Sequence, residues 1–126
     1  MSAIGMMRNN NYFFMTQLIK SEFGGCWAGL IVTATPNQLI AALGEPHYIC
    51  EYEGKTKTSM EWQFAFESDG TIYFAIYDMR EYGHYPKDHR DDVYNFHIGV
   101  KESCDHQKVR KVLEERGLSV KMSENF

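Results

Sequence analysis

The sequence lacks the features that identify several common classes of protein. Its three cysteines, Cys26, Cys50 and Cys104, are far apart and odd in number, so we expect reduced thiols in a cytoplasmic protein. No apolar run approaches the ~18 residues of a membrane-spanning helix, so we expect no membrane partner. The formal net charge of −4 argues against a basic face for duplex nucleic acid.

Motifs for metal binding and for covalent catalysis are also missing. His84 and His89 lie among acidic residues, but their spacing matches no known ligand template, so we expect neither a metal nor another cofactor. A hydrolase that uses His97 as its base, oriented by Glu61 or Asp78, stays an alternative. A histidine beside a carboxylate on a strand more often forms a structural hydrogen bond, and no nucleophile motif accompanies this one.

What the sequence does contain is a clear hairpin in the stretch Thr58–Asp78. Large apolar side chains alternate with smaller or polar ones on both sides of Ser68-Asp69-Gly70, which predicts two strands with one buried face. A three-residue loop keeps the apolar set together, because it places Phe66 opposite Ile72 and Trp62 opposite Ile76. We expect Gly70 in the left-handed conformation of such a loop.

The remaining chain predicts an α+β domain. Thr35, Pro36 and Gly44 are the cap, first residue and end of a short helix, and a second helix over 104–116 begins after Ser103 and ends at Gly117. With strands at 30–33, 47–53 and 93–100, we expect a four- to five-stranded, mainly antiparallel sheet with both helices on one face. We expect residues 1–14 to form a flexible extension and 15–126 a single domain, in which 118–126 is an edge strand or a frayed tail.

Residues with binding chemistry are expected on the polar face of this sheet. An arginine there would hold a phosphate, aromatic rings would stack on a base, and a carboxylate and an amide would read its hydrogen-bonding edges. The alternative is that Glu61 and Tyr77 are an ordinary solvated cross-strand pair. The candidate ligand-binding residues are Trp27, Glu61, Tyr77, Arg80, Tyr82, Asn95 and His97.

Several segments resemble a family of small, mostly uncharacterised phage and prophage proteins. They are Phe23-Gly-Gly-Cys-Trp-Ala-Gly-Leu-Ile, Leu39-Ile-Ala-Ala-Leu-Gly-Glu-Pro, Glu61-Trp-Gln-Phe-Ala-Phe-Glu-Ser-Asp-Gly-Thr-Ile, and Ile76-Tyr-Asp-Met-Arg-Glu-Tyr with Phe96-His-Ile-Gly-Val. In the family the corresponding segments have a Gly-rich loop, Phe-Gly-Glu-Pro, Glu-Trp with Asp-Gly-Thr, Ile-Tyr-Asp-x-Lys, and His-Ile-Gly-Gly. The resemblance implies a phage context, a compact fold, and an accessory or counter-defence role.

Together these features predict a phage-encoded binding protein that sequesters a small anionic ligand, such as a nucleotide, in the host cytoplasm. Two alternatives remain: an inhibitor that blocks a host defence protein, and a small histidine-dependent nucleotide hydrolase. The exposed aromatic residues and an edge strand favour a homodimer.

Overall fold

The computed structural model of the protein describes residues 16–22, 26–49, 59–78, 85–102 and 105–123. In these ranges the chain forms seven β-strands and two α-helices, which confirms the α+β class. The elements are β1 (Leu18–Lys20), β2 (Cys26–Ala34), α1 (Pro36–Leu43), β3 (Tyr48–Ile49), β4 (Met60–Phe66), β5 (Tyr73–Tyr77), a 3₁₀ helix (Pro86–Asp88), β6 (Tyr94–Val100), α2 (His106–Glu115) and β7 (Ser119–Met122).

All the strands belong to one antiparallel sheet, in the order β1-β4-β5-β6-β2-β7, with β3 also paired to β4. The expectation of four to five strands was therefore wrong. The unexpected β1 has three residues, too few to show an alternating pattern. For the segment after α2, predicted as an edge strand or a frayed tail, the structure shows an edge strand, β7, paired with β2. The predicted extension 1–14 and most of the predicted strand 47–53 lie outside the described residues.

The register of the β4–β5 hairpin is the predicted one. Trp62 lies opposite Ile76, and the main-chain N–H of Phe66 donates to Ile72. The loop itself is longer than expected and spans residues 67–71. The turn depends on Asp69, whose carboxylate accepts hydrogen bonds from the main-chain N–H and the hydroxyl of Thr71. Gly70 does not have a positive φ, so that part of the prediction was wrong.

One face of the sheet carries the hydrophobic core, and both helices pack against it. Trp62, Phe74 and Phe96 on the strands are completely buried with Leu39 of α1 and Leu113 of α2. Burial of such side chains is worth about 1.5–3 kcal/mol each, which is why the alternation selects this face. The rest of the core comes from Leu30, Val32, Ala34, Met60, Phe64, Phe66, Ile72, Ile76, Ile98, Val100, Val109, Val112, Leu118 and Val120.

Both helices end where the sequence indicates. Thr35 caps α1 by accepting from the main-chain N–H of Gln38, whose side chain accepts in return from Thr35 N–H. At the other end the N–H of Gly44 donates to the carbonyl of Ile40, so the helix ends at the predicted glycine. Gly117, with φ of 83°, closes α2 in the left-handed conformation. The predicted cap of α2, Ser103, lies outside the described residues.

A buried carboxylate joins the first residues of β4 to the end of β5. Asp78 is 2% exposed and accepts hydrogen bonds from the N–H groups of Ser59 and Met60 and from the Ser59 hydroxyl, at 2.7–2.9 Å. Ser59 is also buried, so water cannot reach its polar groups and the Asp78 carboxylate is their hydrogen-bond acceptor instead. The Asp78 carboxylate therefore holds the open end of the hairpin together.

Replacing Asp78 should destabilise the fold strongly. In Asp78→Ala we expect a loss of about 3 kcal/mol in the free energy of unfolding, because two buried N–H groups lose their acceptor. Urea unfolding followed by tryptophan fluorescence would measure it. The control is Asp88→Ala, since the Asp88 side chain is half-exposed where it pairs with Lys87, and its loss should change stability by less than about 1 kcal/mol. Equal, small effects in both variants would contradict the structural role of Asp78.

Candidate ligand-binding face

The face of the sheet opposite the helices carries one continuous row of side chains from edge to edge. Cross-strand pairs share a face, and the pairs here connect β7, β2, β6, β5, β4 and β3 in turn. We call this face the outer face and this set the outer row: Lys121, Ile31, His97, Tyr77, Glu61 and Tyr48. The main chains of neighbouring members are one strand spacing apart, about 4.8 Å, measured across the sheet.

The structure brings four of the predicted site residues onto this face. Glu61, Tyr77 and His97 are consecutive members of the outer row. Asn95 follows on the same face of β6, where its amide oxygen accepts a 2.8 Å hydrogen bond from the Thr33 hydroxyl. This shared face confirms the alternation on which the prediction depended.

The other predicted site residues are not placed by the structure. Arg80 and Tyr82 lie outside the described residues. The main chain of Trp27 pairs with Gly99 on β6, but its side chain is not described. Between Trp27 and Leu30 the register of β2 shifts at a bulge, where Gly29 has a φ of 79° and its carbonyl accepts from Ser123 N–H. Positive φ at this position favours glycine.

The centre of the outer row is aromatic and uncharged, with a carboxylate beside it. The rings of Tyr77 and His97 meet edge to face, with centroids 5.7 Å apart. Partial burial lowers the pKa of His97 below its ordinary value of 6.5, so the imidazole is neutral at pH 7. The Gln63 amide donates to Glu61 at 2.6 Å, which orients the carboxylate next to Tyr77.

This geometry does not assemble the hydrolase considered from the sequence. Glu61 lies two strands from His97, about 10 Å along the row, with Tyr77 between them. Asp78 follows Tyr77 in the chain and turns to the opposite side, where it binds Ser59 and Met60. Neither carboxylate therefore orients His97.

The described part of the chain holds no group of three or more His, Cys, Asp or Glu side chains arranged to bind a metal. His89 lies 4.0 Å from Asp92 in an exposed pair, and His84 is outside the described residues. These two exposed side chains supply too few ligands for a structural metal site, which needs about four.

The sequence argument missed three members of the outer row: Lys121, Ile31 and Tyr48. Lys121 lies on β7 at one end of the row; the alternation in Ser-Val-Lys-Met, with Val120 buried, is the signal that would have placed it outward. At the opposite edge of the sheet His47 lies beside β4 between β1 and β3, with its ring centroid 4.8 Å from that of Phe64 in the core. Its Nδ1 accepts from the main-chain N–H of Gln63 at 2.8 Å, in place of a strand partner.

The fold and this face define an α+β protein with a helix-backed antiparallel sheet and a polar, aromatic outer face. Comparisons with protein-family models, curated proteins and solved structures found no match. The resemblance to phage proteins therefore stays a prediction. Neither helix in the described ranges has the length and apolar character to cross a membrane.

The two histidines should make stability fall in mild acid. Burial is the main cause that lowers the pKa of both His47 and His97 below 6.5, so the unfolded chain binds more protons than the folded one. Their contribution is complete above pH 6.5 and is lost as the pH falls through the lower folded-state pKa values. We expect the free energy of unfolding, from urea titrations, to decrease over this window.

Two variants test the assignment of this pH dependence. His47→Asn keeps an acceptor for Gln63 N–H but cannot titrate, and His97→Gln removes the second imidazole. Combined in one chain, they should flatten the profile below pH 6.5. A double variant whose profile runs parallel to that of the unmodified protein would rule these histidines out.

Proposed function

We propose that the protein binds and sequesters a small anionic ligand of the nucleotide class on the outer row. The order of chemistry along the row supports this: the carboxylate of Glu61, the rings of Tyr77 and His97, the apolar Ile31 and the ammonium of Lys121. A nucleotide has the same order of complementary parts, from the polar edge of the base to the phosphate.

The base is proposed to lie against Tyr77 and His97. Base–aromatic stacking contributes about 1–3 kcal/mol per base and needs only a half-exposed ring. Glu61 then accepts a hydrogen bond from an amino or imino N–H at the edge of the base, as carboxylates do with exocyclic amines. Because His97 is neutral, the centre of the site does not depend on ionic contact with the base.

The phosphate is proposed to lie toward β7. Lys121 is two strand spacings from His97, about 10 Å, which matches the distance from a stacked base to its 5′-phosphate. Ile31 lies between them and offers apolar contact to the sugar. The ammonium of Lys20, by contrast, lies 5.5 Å from the centre of the Tyr48 ring, at the opposite end of the row.

Binding of single nucleotides suits the protein better than binding of a polynucleotide. By fold-level analogy, aromatic residues on helix-backed antiparallel sheets stack single bases in RNA-recognition modules. The net charge of −4, however, disfavours a long polyanion. In the phage context that the sequence resemblance implies, removal of a nucleotide signal from the host cytoplasm is the role we propose.

The second candidate is an inhibitor that blocks a host protein. It is favoured by the exposed apolar side chains on the short strands beside β4, where Ile19 is 45% exposed, Tyr48 41% and Ile49 36%. Ile49→Asp would weaken a protein contact there. The same change should leave nucleotide binding on the centre of the outer row intact.

A calorimetric titration with purified full-length protein tests the first candidate. The ligands are 5′-mononucleotides, cyclic mono- and dinucleotides, and ADP-ribose. We expect at least one to bind, and Tyr77→Ala to weaken it about 5- to 100-fold through lost stacking. Lys121→Gln should weaken it several-fold, more at low salt than at high salt.

The matched control is Lys101→Gln. Lys101 lies 5.0 Å from the Tyr73 ring, outside the outer row, so this variant should bind normally. Absence of binding by every nucleotide tested, or equal losses in the Lys101 and Lys121 variants, would refute the proposal.

A further inference from the structure

A cavity of about 380 Å³ lies between α1 and the turn that leads from α2 into β7. Its apolar wall includes Ala34, Ala42 and Leu118, and its polar wall includes Thr33, Ser119 and Arg116. The cavity exists because the helix presents alanines here, whose short side chains leave the space beside β2 unfilled. Volumes of this size accept small organic ligands.

Arg116 has an unmet hydrogen-bonding requirement at this cavity. Its Nη2 donates a 2.7 Å hydrogen bond to the carbonyl of Thr16. Its Nη1 is closed off from solvent, and no acceptor contacts it in the described part of the protein. A guanidinium carries only donors and stays protonated, so neither a flip nor a change of protonation can satisfy this nitrogen.

A buried charged donor without a partner is unusual in a native protein and needs a physical explanation. Partial burial is the main cause that lowers the pKa of Arg116, because removal of water disfavours the cation. An oxyanion in the adjacent cavity would supply a compensating charge. Nη1 is closed off from solvent in this structure, so the guanidinium would turn to bring this nitrogen to the anion. Carboxylates and phosphates fit a guanidinium best, because they can accept two of its N–H groups at once.

We infer that this cavity binds a small organic oxyanion, with its carboxylate or phosphate on Arg116 and its apolar body against Ala34, Ala42 and Leu118. Ser119 lies on the same cavity wall, and its hydroxyl can donate to the second oxygen of the head group. This site is separate from the proposed nucleotide site on the outer row, and it goes beyond that function.

The test uses three probes of one shape: benzoate, phenyl phosphate and the neutral benzamide. Amide resonances of the ¹⁵N-labelled full chain are followed during titration to tens of millimolar. We expect benzoate or phenyl phosphate to shift the resonances of Arg116, Gly117 and Ser119 saturably, and benzamide to shift them little. The anion with the lower Kd identifies the class of head group.

Two variants and a control locate the binding. Arg116→Met removes the guanidinium and keeps most of the side-chain volume. Ala41→Leu fills the cavity from an exposed position of α1 without changing the arginine. Each should weaken anion binding at least tenfold. The control is Arg110→Met, which should bind like the unmodified protein, because the guanidinium of Arg110 already pairs with Glu114 on the same helix.

Clear outcomes would overturn the inference. They are no saturable shift with either anion, equal shifts with benzamide, or unchanged affinity in Arg116→Met. If Arg116→Met does not fold, Ala41→Leu decides, since unchanged affinity after filling of the cavity places the anion elsewhere. Tyr77→Ala should leave anion binding unchanged, so failure of the nucleotide proposal and failure of this one are distinguishable.

Discussion

Directly opposed residues of paired strands share a face of the sheet, and completely buried Trp62, opposite Ile76, fixes which face is the core. Because side chains alternate along each strand, this one pair determines which face every other side chain of β4 and β5 occupies. A shift of one residue would move Phe64 and Phe74 into water and Glu61 and Tyr77 into the core, at a cost of many kcal/mol. The same constraint therefore creates both the core and the outer row.

Contacts at the ends of the strands make this register rigid where the site needs it. The Asp78 carboxylate binds Ser59 and Met60, directly next to the Glu61–Tyr77 pair. The Trp62 indole N–H donates to the carbonyl of Gly44, which ties α1 to the centre of β4. These bonds are buried or partly buried, so water competes with them weakly. The proposed ligand thus meets a preformed surface, and binding needs little ordering of the protein.

The sequence was informative where a long run repeats one pattern. Seven residues of β4 and seven of β6 alternate clearly, so the hairpin register and the shared face of Glu61, Tyr77, Asn95 and His97 could be predicted. The capped helix at Thr35 was equally readable, because each cap residue has one local partner.

Features that depend on long-range packing could not be predicted. The strand β1 has three residues, and its pairing is decided by the free edge of β4 rather than by its own pattern. The conformation of Gly70 depends on the hydrogen bonds between Asp69 and Thr71. A three-residue and a five-residue loop give the same strand register, so the alternation in the sequence could not distinguish them. The Arg116 cavity combines residues of β2, α1 and the α2–β7 turn, and no spacing in the sequence relates them.

The position of β2 in the sheet has a consequence for how the protein is made. This strand is synthesised early, yet both of its partners, β6 and β7, come from the last third of the chain. On the ribosome, β4 and β5 can form their local hairpin as soon as both have been synthesised. The main-chain groups of β2 can pair with β6 only after some sixty further residues have been added. Such long-range closure slows folding and leaves a strand open to wrong partners. Strands synthesised after the β4–β5 hairpin thus complete the sheet around a strand synthesised before it.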